Sequence, residues 1–239
     1  MKRISLWSGP RNISTAMMYA FAQRNDTTVV DEPLYAFYLK ETGIDHPGRE
    51  ETLRSMSSNR DEVIFTLREK QFRTEIVFFK NMCHHVLDLP LNILDNLCNV
   101  FLIREPKFVI ASYIKEISHP DISDLGYTDL LKMTDYLKEK GREVFLIDSR
   151  DILQNPAKGL KSICDFTGIP YSSSMLKWSK GGIREDGVWS KYWYTSLHQS
   201  EGFMPYSRKE VEIPKRLMPL LKESEIIYEI LQDRSVKIK

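Results

Sequence analysis

No stretch of this 239-residue chain is apolar for long enough to cross a membrane; its apolar runs, such as Ile76 to Phe79 and Leu97 to Ile103, are of strand length. Met1-Lys2-Arg3 and the brief apolar run behind it are too short for the core of a secretory signal. Cysteine is scarce. Cys83, Cys98 and Cys164 are odd in number, far apart and set among apolar neighbours, which excludes a disulfide framework, does not read as a metal site and fits reduced core residues. Charge of one sign is also missing: 34 basic against 33 acidic residues leave a net +1, so neither nucleic acid nor an anionic membrane is expected as a partner. Any anion site must then be a local cluster. Internal repeats and low-complexity segments are absent as well, which excludes a solenoid or a disordered chain. A cytoplasmic protein acting on a small molecule is expected, with oligomeric state left open.

What is present is ordinary globular material. With 42% apolar residues, the chain can bury a full core, and residues 1–239 are expected to form a single domain. Its organising stretch runs from Arg3 to Arg24: a buried strand (Ile4, Leu6, Trp7), a polar turn Ser8-Gly9-Pro10-Arg11-Asn12, and a helix from near Ile13 whose apolar face is Ile13, Met17, Ala20 and Phe21. Such a strand-turn-helix aims backbone N–H groups and the positive end of a helix dipole at one point, which suits an anion such as phosphate. Arg11 adds a fixed charge there.

Further strands are expected at Thr27 to Val30, Glu75 to Lys80, Leu97 to Ile103 and Glu143 to Ile147. Helices are expected at Asn59 to Gln71, Leu91 to Asn96, from Pro106, at Tyr127 to Lys140 before Gly141, and from Asn155-Pro156 through Phe166. Leu34 to Lys40 reads as a short helix or a pocket wall, and Thr42 to Asn59 as an exposed connection. After Trp178 glycines, basic groups and aromatics mix, and Glu210 to Gln232 reads as a helical finish broken at Pro214 and Pro219. Strands alternating with helices imply right-handed crossovers, hence an α/β fold with a mostly parallel sheet and helices on both faces. The strand ends at Gly9, Asp31, Lys80 and Arg104 then become neighbours.

The opening loop lacks the second glycine and the lysine of a nucleoside-triphosphate loop, for Gly9 is followed, after four intervening residues, by Ser14-Thr15-Ala16. That weakens an ATPase or kinase reading. Ser8-Gly9-Pro10-Arg11-Asn12-Ile13-Ser14-Thr15 instead resembles the 5′-phosphosulfate loop of sulfotransferases, with Asn12 and Ile13 in place of the usual Ser-Gly. Leu102-Ile103-Arg104-Glu105-Pro106 through Ser112-Tyr113 resembles the family's second motif, an arginine after a strand and a serine eight residues later. Asp151-Ile152-Leu153, then Asn155-Pro156 and Ile163 to Pro170, is similar to its closing strand-and-helix signature, so the likeness covers about residues 3–170 and leaves 171–239 as an irregular and helical C-terminal portion.

The resemblance implies a P-loop-like three-layer sandwich, 3′-phosphoadenosine 5′-phosphosulfate as co-substrate, a small hydroxyl or amine acceptor and no metal. Gly9, Pro10, Arg11, Asn12, Ser14 and Thr15 would cradle the 5′-phosphate, and Arg104 and Ser112 the 3′-phosphate. Arg11 stands where many members carry lysine and would neutralise the bridging oxygen. Glu32 is the first candidate base, His84 or His85 the second, and Lys80 a bridge between donor and acceptor. Asp148 is read as structural. The competing functional readings are a degenerate P-loop kinase and a non-catalytic nucleotide- or anion-binding module of the same fold.

Overall fold

Apolar, β-branched and aromatic runs that are hydrophobic on both faces can only be central strands of a covered sheet. In the computed structural model, which describes residues 1–207 and 210–238, they are β1 (Lys2–Ser8), β2 (Thr27–Asp31), β3 (Ile76–Met82), β4 (Cys98–Ile103) and β5 (Phe145–Asp148). The strands form one parallel sheet in the order β2-β3-β1-β4-β5. Chain direction reverses across the sheet beside β1, so the crevice where such folds bind ligands opens at the carboxyl ends of β1, β3 and β4.

The helices are α1 (Ser14–Ala22), α2 (Tyr35–Thr42), α3 (Arg49–Ser55), α4 (Arg60–Arg68), α5 (Pro106–Tyr113), α6 (Ile122–Leu125), α7 (Tyr127–Glu139), α8 (Ser149–Gln154), α9 (Pro156–Thr167), α10 (Ser190–Trp193), α11 (Thr195–His198) and α12 (Met218–Asp233). Strand alternation sends Ile4, Leu6, Phe78 and Val100 to one face, where α1 and α9 cover them, and Trp7, Val77, Phe79 and Phe101 to the other, under α4, α7 and α12. The two faces are thus two apolar cores on one sheet. Phe21 of α1 stacks on Phe78 at 4.0 Å between centroids, and cutting such a ring back to alanine costs about 3–5 kcal/mol.

The structure corrects four expectations. Thr42 to Asn59 is exposed over much of its length but is more than a connection: it contains α3, buries Thr52 completely and leaves His46 only 6% exposed. Its partners lie far along the chain, as where the ring of Tyr192 packs against Gly48, so no local period announced the helix. Pro219 does not break the last helix, because it sits in the first turn of α12 where no N–H partner is needed. Asp151-Ile152-Leu153 lies in α8, and the strand of that signature is β5. The helix α6 was not expected, although Asp121 and Asp124 form the reciprocal capping box that starts it. Leu34 to Lys40 fulfils both of its readings, since α2 carries Tyr35 into a cavity wall.

Candidate active site

The loop after β1 is held from several sides. A Cβ on Gly9 would sit 2.3 Å from the carbonyl oxygen of Leu125, so only glycine allows this close approach. Gly9 therefore shapes the loop. Arg11 takes the left-handed conformation, at φ +53°, which orders of magnitude place at about 1–3 kcal/mol of local strain. Asn12 donates from Nδ2 to the Leu102 carbonyl at 3.1 Å and accepts the Ile13 N–H at 2.8 Å, pinning the loop to β4. Its side-chain amide is spent on the loop itself. No side chain caps α1, so its first-turn N–H groups remain available beside Pro10, Ser14 and Thr15 at the cavity wall.

Arg11, Arg104 and Ser112 converge on this loop. Arg11 Nε donates to Ser112 Oγ at 2.9 Å, an Arg104 guanidinium N–H donates to the Arg11 carbonyl, and Tyr127 donates its O–H to the Arg104 carbonyl at 2.6 Å. Among the described residues neither arginine has a carboxylate partner. Burial, with the nearby Arg11 charge added to it, draws Arg104 below its ordinary value. Two partly buried guanidinium groups without a counter-ion are the electrostatic mark of an anion site.

A second charged group lies across the crevice. Asp31 ends β2 in register with Lys80 of β3, and the chain then turns through Glu32 at φ +39°. Lys80 Nζ donates to Asp31 Oδ1 at 3.2 Å, to the Tyr194 hydroxyl at 2.6 Å and to Glu32 Oε1. The Tyr194 oxygen lies 2.9 Å from both Asp31 oxygens and accepts from Trp189 Nε1 at 3.0 Å. Burial would push Lys80 down, but the two carboxylates outweigh it and Lys80 stays charged, above its ordinary value. For Glu32 burial dominates, the attraction of Lys80 opposes it and the Asp31 charge adds to it, so its carboxyl is raised. One cation shared by two carboxylates leaves Glu32 as the group able to hold a proton.

His84 and His85 follow β3 in a 3-10 turn and face the same cavity. Burial, reinforced by His46, drives His84 down to about 3; burial also drives His85 well below its ordinary value. Both are neutral at pH 7. His85 is stacked on Tyr35 at 4.9 Å and on Tyr38 at 4.5 Å, and its Nδ1 stops 3.8 Å from Glu32 Oε2, too far for a hydrogen bond. Asp148 accepts the Arg150 N–H at 2.7 Å as the cap of α8 and the Tyr228 hydroxyl at 2.6 Å, a structural commitment.

Sequence reasoning missed Asp31 as a partner of Lys80 and, although Trp189 and Tyr194 lie in the aromatic stretch after Trp178, missed the bond between them and that of Tyr194 to Asp31. The aromatic stretch after Trp178 was the one available signal. That segment is tied down by Asp186, whose Oδ2 accepts from Tyr19 at 2.6 Å and lies 3.0 Å from His198 Nε2, and by Gly187 N–H donating to Asp31 at 3.1 Å. Two cavities result. The first runs from the loop past Lys80 and Glu32 to Tyr35 and Trp193; the larger second passes along α5 and β5 beneath Phe203 and Tyr206. They meet at Asn12, Thr15, Arg104, Ser112 and Ser196. Among the described residues no cluster of three or more His, Cys, Asp or Glu has the geometry to hold a metal ion, and no helix is long and apolar enough to cross a membrane.

Residues 1–233 match the family model described as a sulfotransferase domain. Branched-chain-amino-acid aminotransferase-like protein 1 of Arabidopsis thaliana is 37% identical over 238 residues, which are 96% of this chain and 41% of that protein, and the second such protein is 36% identical. The chain thus spans about two fifths of the length of these relatives. Among solved structures, the sulfotransferase domain of the Synechococcus PCC 7002 olefin synthase superimposes with a TM-score of 0.59 at 17% identity, over 96% of each chain. The sulfotransferase domain from the curacin biosynthetic pathway does so with a TM-score of 0.58 at 15% identity, over 99% of each. The family model spans nearly all of the sequence and these structures share its fold: the chain belongs to the sulfotransferase family.

Proposed function

We propose that the chain transfers a sulfuryl group from 3′-phosphoadenosine 5′-phosphosulfate to a hydroxyl of a small molecule. The observation that carries this reading is the pair of guanidinium groups without carboxylate partners at the junction of two cavities, with a proton-accepting carboxylate in the first cavity. The second cavity takes the nucleotide, with Arg104 and Ser112 on its 3′-phosphate. Thr15, Ser14 and the free N–H groups of α1 take the 5′-phosphate. The first cavity takes the acceptor.

Transfer of a group whose oxygens are already in place is mostly positioning plus stabilisation of the leaving charge. Glu32 removes the proton of the acceptor hydroxyl as its oxygen bonds to sulfur and the bond from sulfur to the 5′-phosphate oxygen breaks. Arg11 meets the charge left on that oxygen; being always protonated, it acts as a fixed cation and not as an acid. Lys80, held by Asp31 and Tyr194, aims Glu32. His84 and His85, both neutral, line the acceptor side.

Calorimetric titration tests the donor half directly. Adenosine 3′,5′-bisphosphate is expected to bind more tightly than adenosine 5′-monophosphate or magnesium ATP. Equal affinity for magnesium ATP would return the site to a kinase-like reading; bisphosphate binding without any transfer to alcohols, phenols or amines would leave a binding module.

A further inference from the structure

The acceptor end of the first cavity has a composition of its own. Glu32 and Lys80 line it, and Asp31, behind the wall, pairs with Lys80, so that the three together carry a formal balance of −1. The ammonium of Lys80 has three N–H donors, and Asp31, Glu32 and Tyr194 take all three, so nothing remains for an anion. Three imidazoles, His46, His84 and His85, line the same space, each less than 9% exposed and each held neutral, chiefly by burial. His46 Nε2, His84 Nδ1 and His85 Nδ1 find no hydrogen-bond partner in the described structure. The remaining wall is aromatic. Tyr35 meets Trp189 edge-on at 5.1 Å, and Trp193 stands 5.9 Å from His46.

We propose that the acceptor is a small organic cation, an amino alcohol in which a quaternary or protonated nitrogen lies a few bonds from the hydroxyl. The inference rests on the sulfotransfer reading for its hydroxyl and on the chamber alone for its charge. Aromatic faces and carboxylates attract a cation together, and neutral imidazoles add no opposing charge. An anionic acceptor would meet Glu32 with every N–H of Lys80 already taken. Arg11 and Arg104 belong to the part of the cavity formed by the loop, Arg11 on Ser112 and Arg104 on the Arg11 carbonyl. In the transfer itself the hydroxyl proton passes to Glu32, the new bond joins the alcohol oxygen to sulfur, and the bisphosphate leaves; the ammonium group is unchanged.

Three probes of similar size separate charge from shape: choline, its uncharged isostere 3,3-dimethylbutan-1-ol, and 4-hydroxybutanoate. Each is titrated calorimetrically into the chain, with and without saturating adenosine 3′,5′-bisphosphate. Choline is expected to bind roughly tenfold or more tightly than the isostere, the range a desolvated cation over aromatic rings supplies, and 4-hydroxybutanoate not to bind. Trp193→Leu, at a partly exposed position outside the Lys80 network, is expected to bring choline and the isostere close to equal affinity. The proposal is overturned if the isostere binds as well as choline, if 4-hydroxybutanoate saturates, if choline fails to bind in either state, or if the preference survives Trp193→Leu unchanged. Choline binding without any bisphosphate binding would uphold the cation chamber while removing the donor reading; the converse removes the chamber and keeps the donor.

Discussion

At the scale of single residues, Arg104 and Glu32 divide the work between binding and chemistry. Removing Arg104 leaves the 3′-phosphate unpaired beside Arg11, so Arg104→Ala is expected to weaken adenosine 3′,5′-bisphosphate by about 2–5 kcal/mol while barely changing adenosine 5′-monophosphate, as read by calorimetry. Glu32→Gln keeps the side-chain shape but takes no proton; it is expected to lower turnover about 10²–10⁴-fold at unchanged bisphosphate affinity. Full activity in Glu32→Gln would move the base to one of the imidazoles. These residues were legible because each lies within a few positions of a strand end, where a local motif can be read. Their partners were not. Tyr194 reaches Asp31 across 163 positions, and His46 is buried within a stretch whose charges and lack of period read as surface.

At the scale of elements, the segment carrying α10 and α11 is fastened to the carboxylates by the Tyr194 hydroxyl and the Gly187 N–H, and to α1 by Asp186. Tyr194→Phe deprives Lys80 of an acceptor inside a buried network, an expected loss of about 1–3 kcal/mol in denaturant unfolding with an unchanged m-value. The same variant is expected to speed proteolytic nicking between residues 180 and 200, because the strap that remains runs through Asp186 and Gly187. Strands were legible throughout because a buried parallel strand writes a continuous apolar run. The short elements were not: α3 and α6 have seven and four residues, and such pieces are stabilised by what they pack on, not by their own periodicity. Asn59 is an exception, announcing α4 through a side chain that accepts from the N–H groups of Asp61 and Glu62.

For the whole molecule, the buried imidazoles set an acid limit on the fold. His84, His85 and His46 have folded values below the ordinary one, so their stabilising effect is full above about pH 6.5 and is lost as pH falls toward the folded values, for His84 toward about 3. Each contributes a slope of about 1.4 kcal/mol per pH unit within its window. Asp129, pushed up to about 6 by burial, acts in the opposite sense, so the imidazole part is read as the difference between the wild type and His84→Gln in unfolding between pH 7 and 5. The variant is expected to lose less stability over that interval. The parallel sheet and the meeting of its strand ends followed from the strand pattern and the loop, whereas the strand order and the charge character of the acceptor end required the three-dimensional meeting of distant segments. A single-turnover reaction with sulfur-labelled 3′-phosphoadenosine 5′-phosphosulfate, the wild-type chain and a pool of hydroxylated small molecules tests the central claim most directly. Label is expected to move from the donor to an alcohol in the wild type and to stay on the donor in Glu32→Gln; donor that binds yet never releases label to any alcohol, phenol or amine would contradict it.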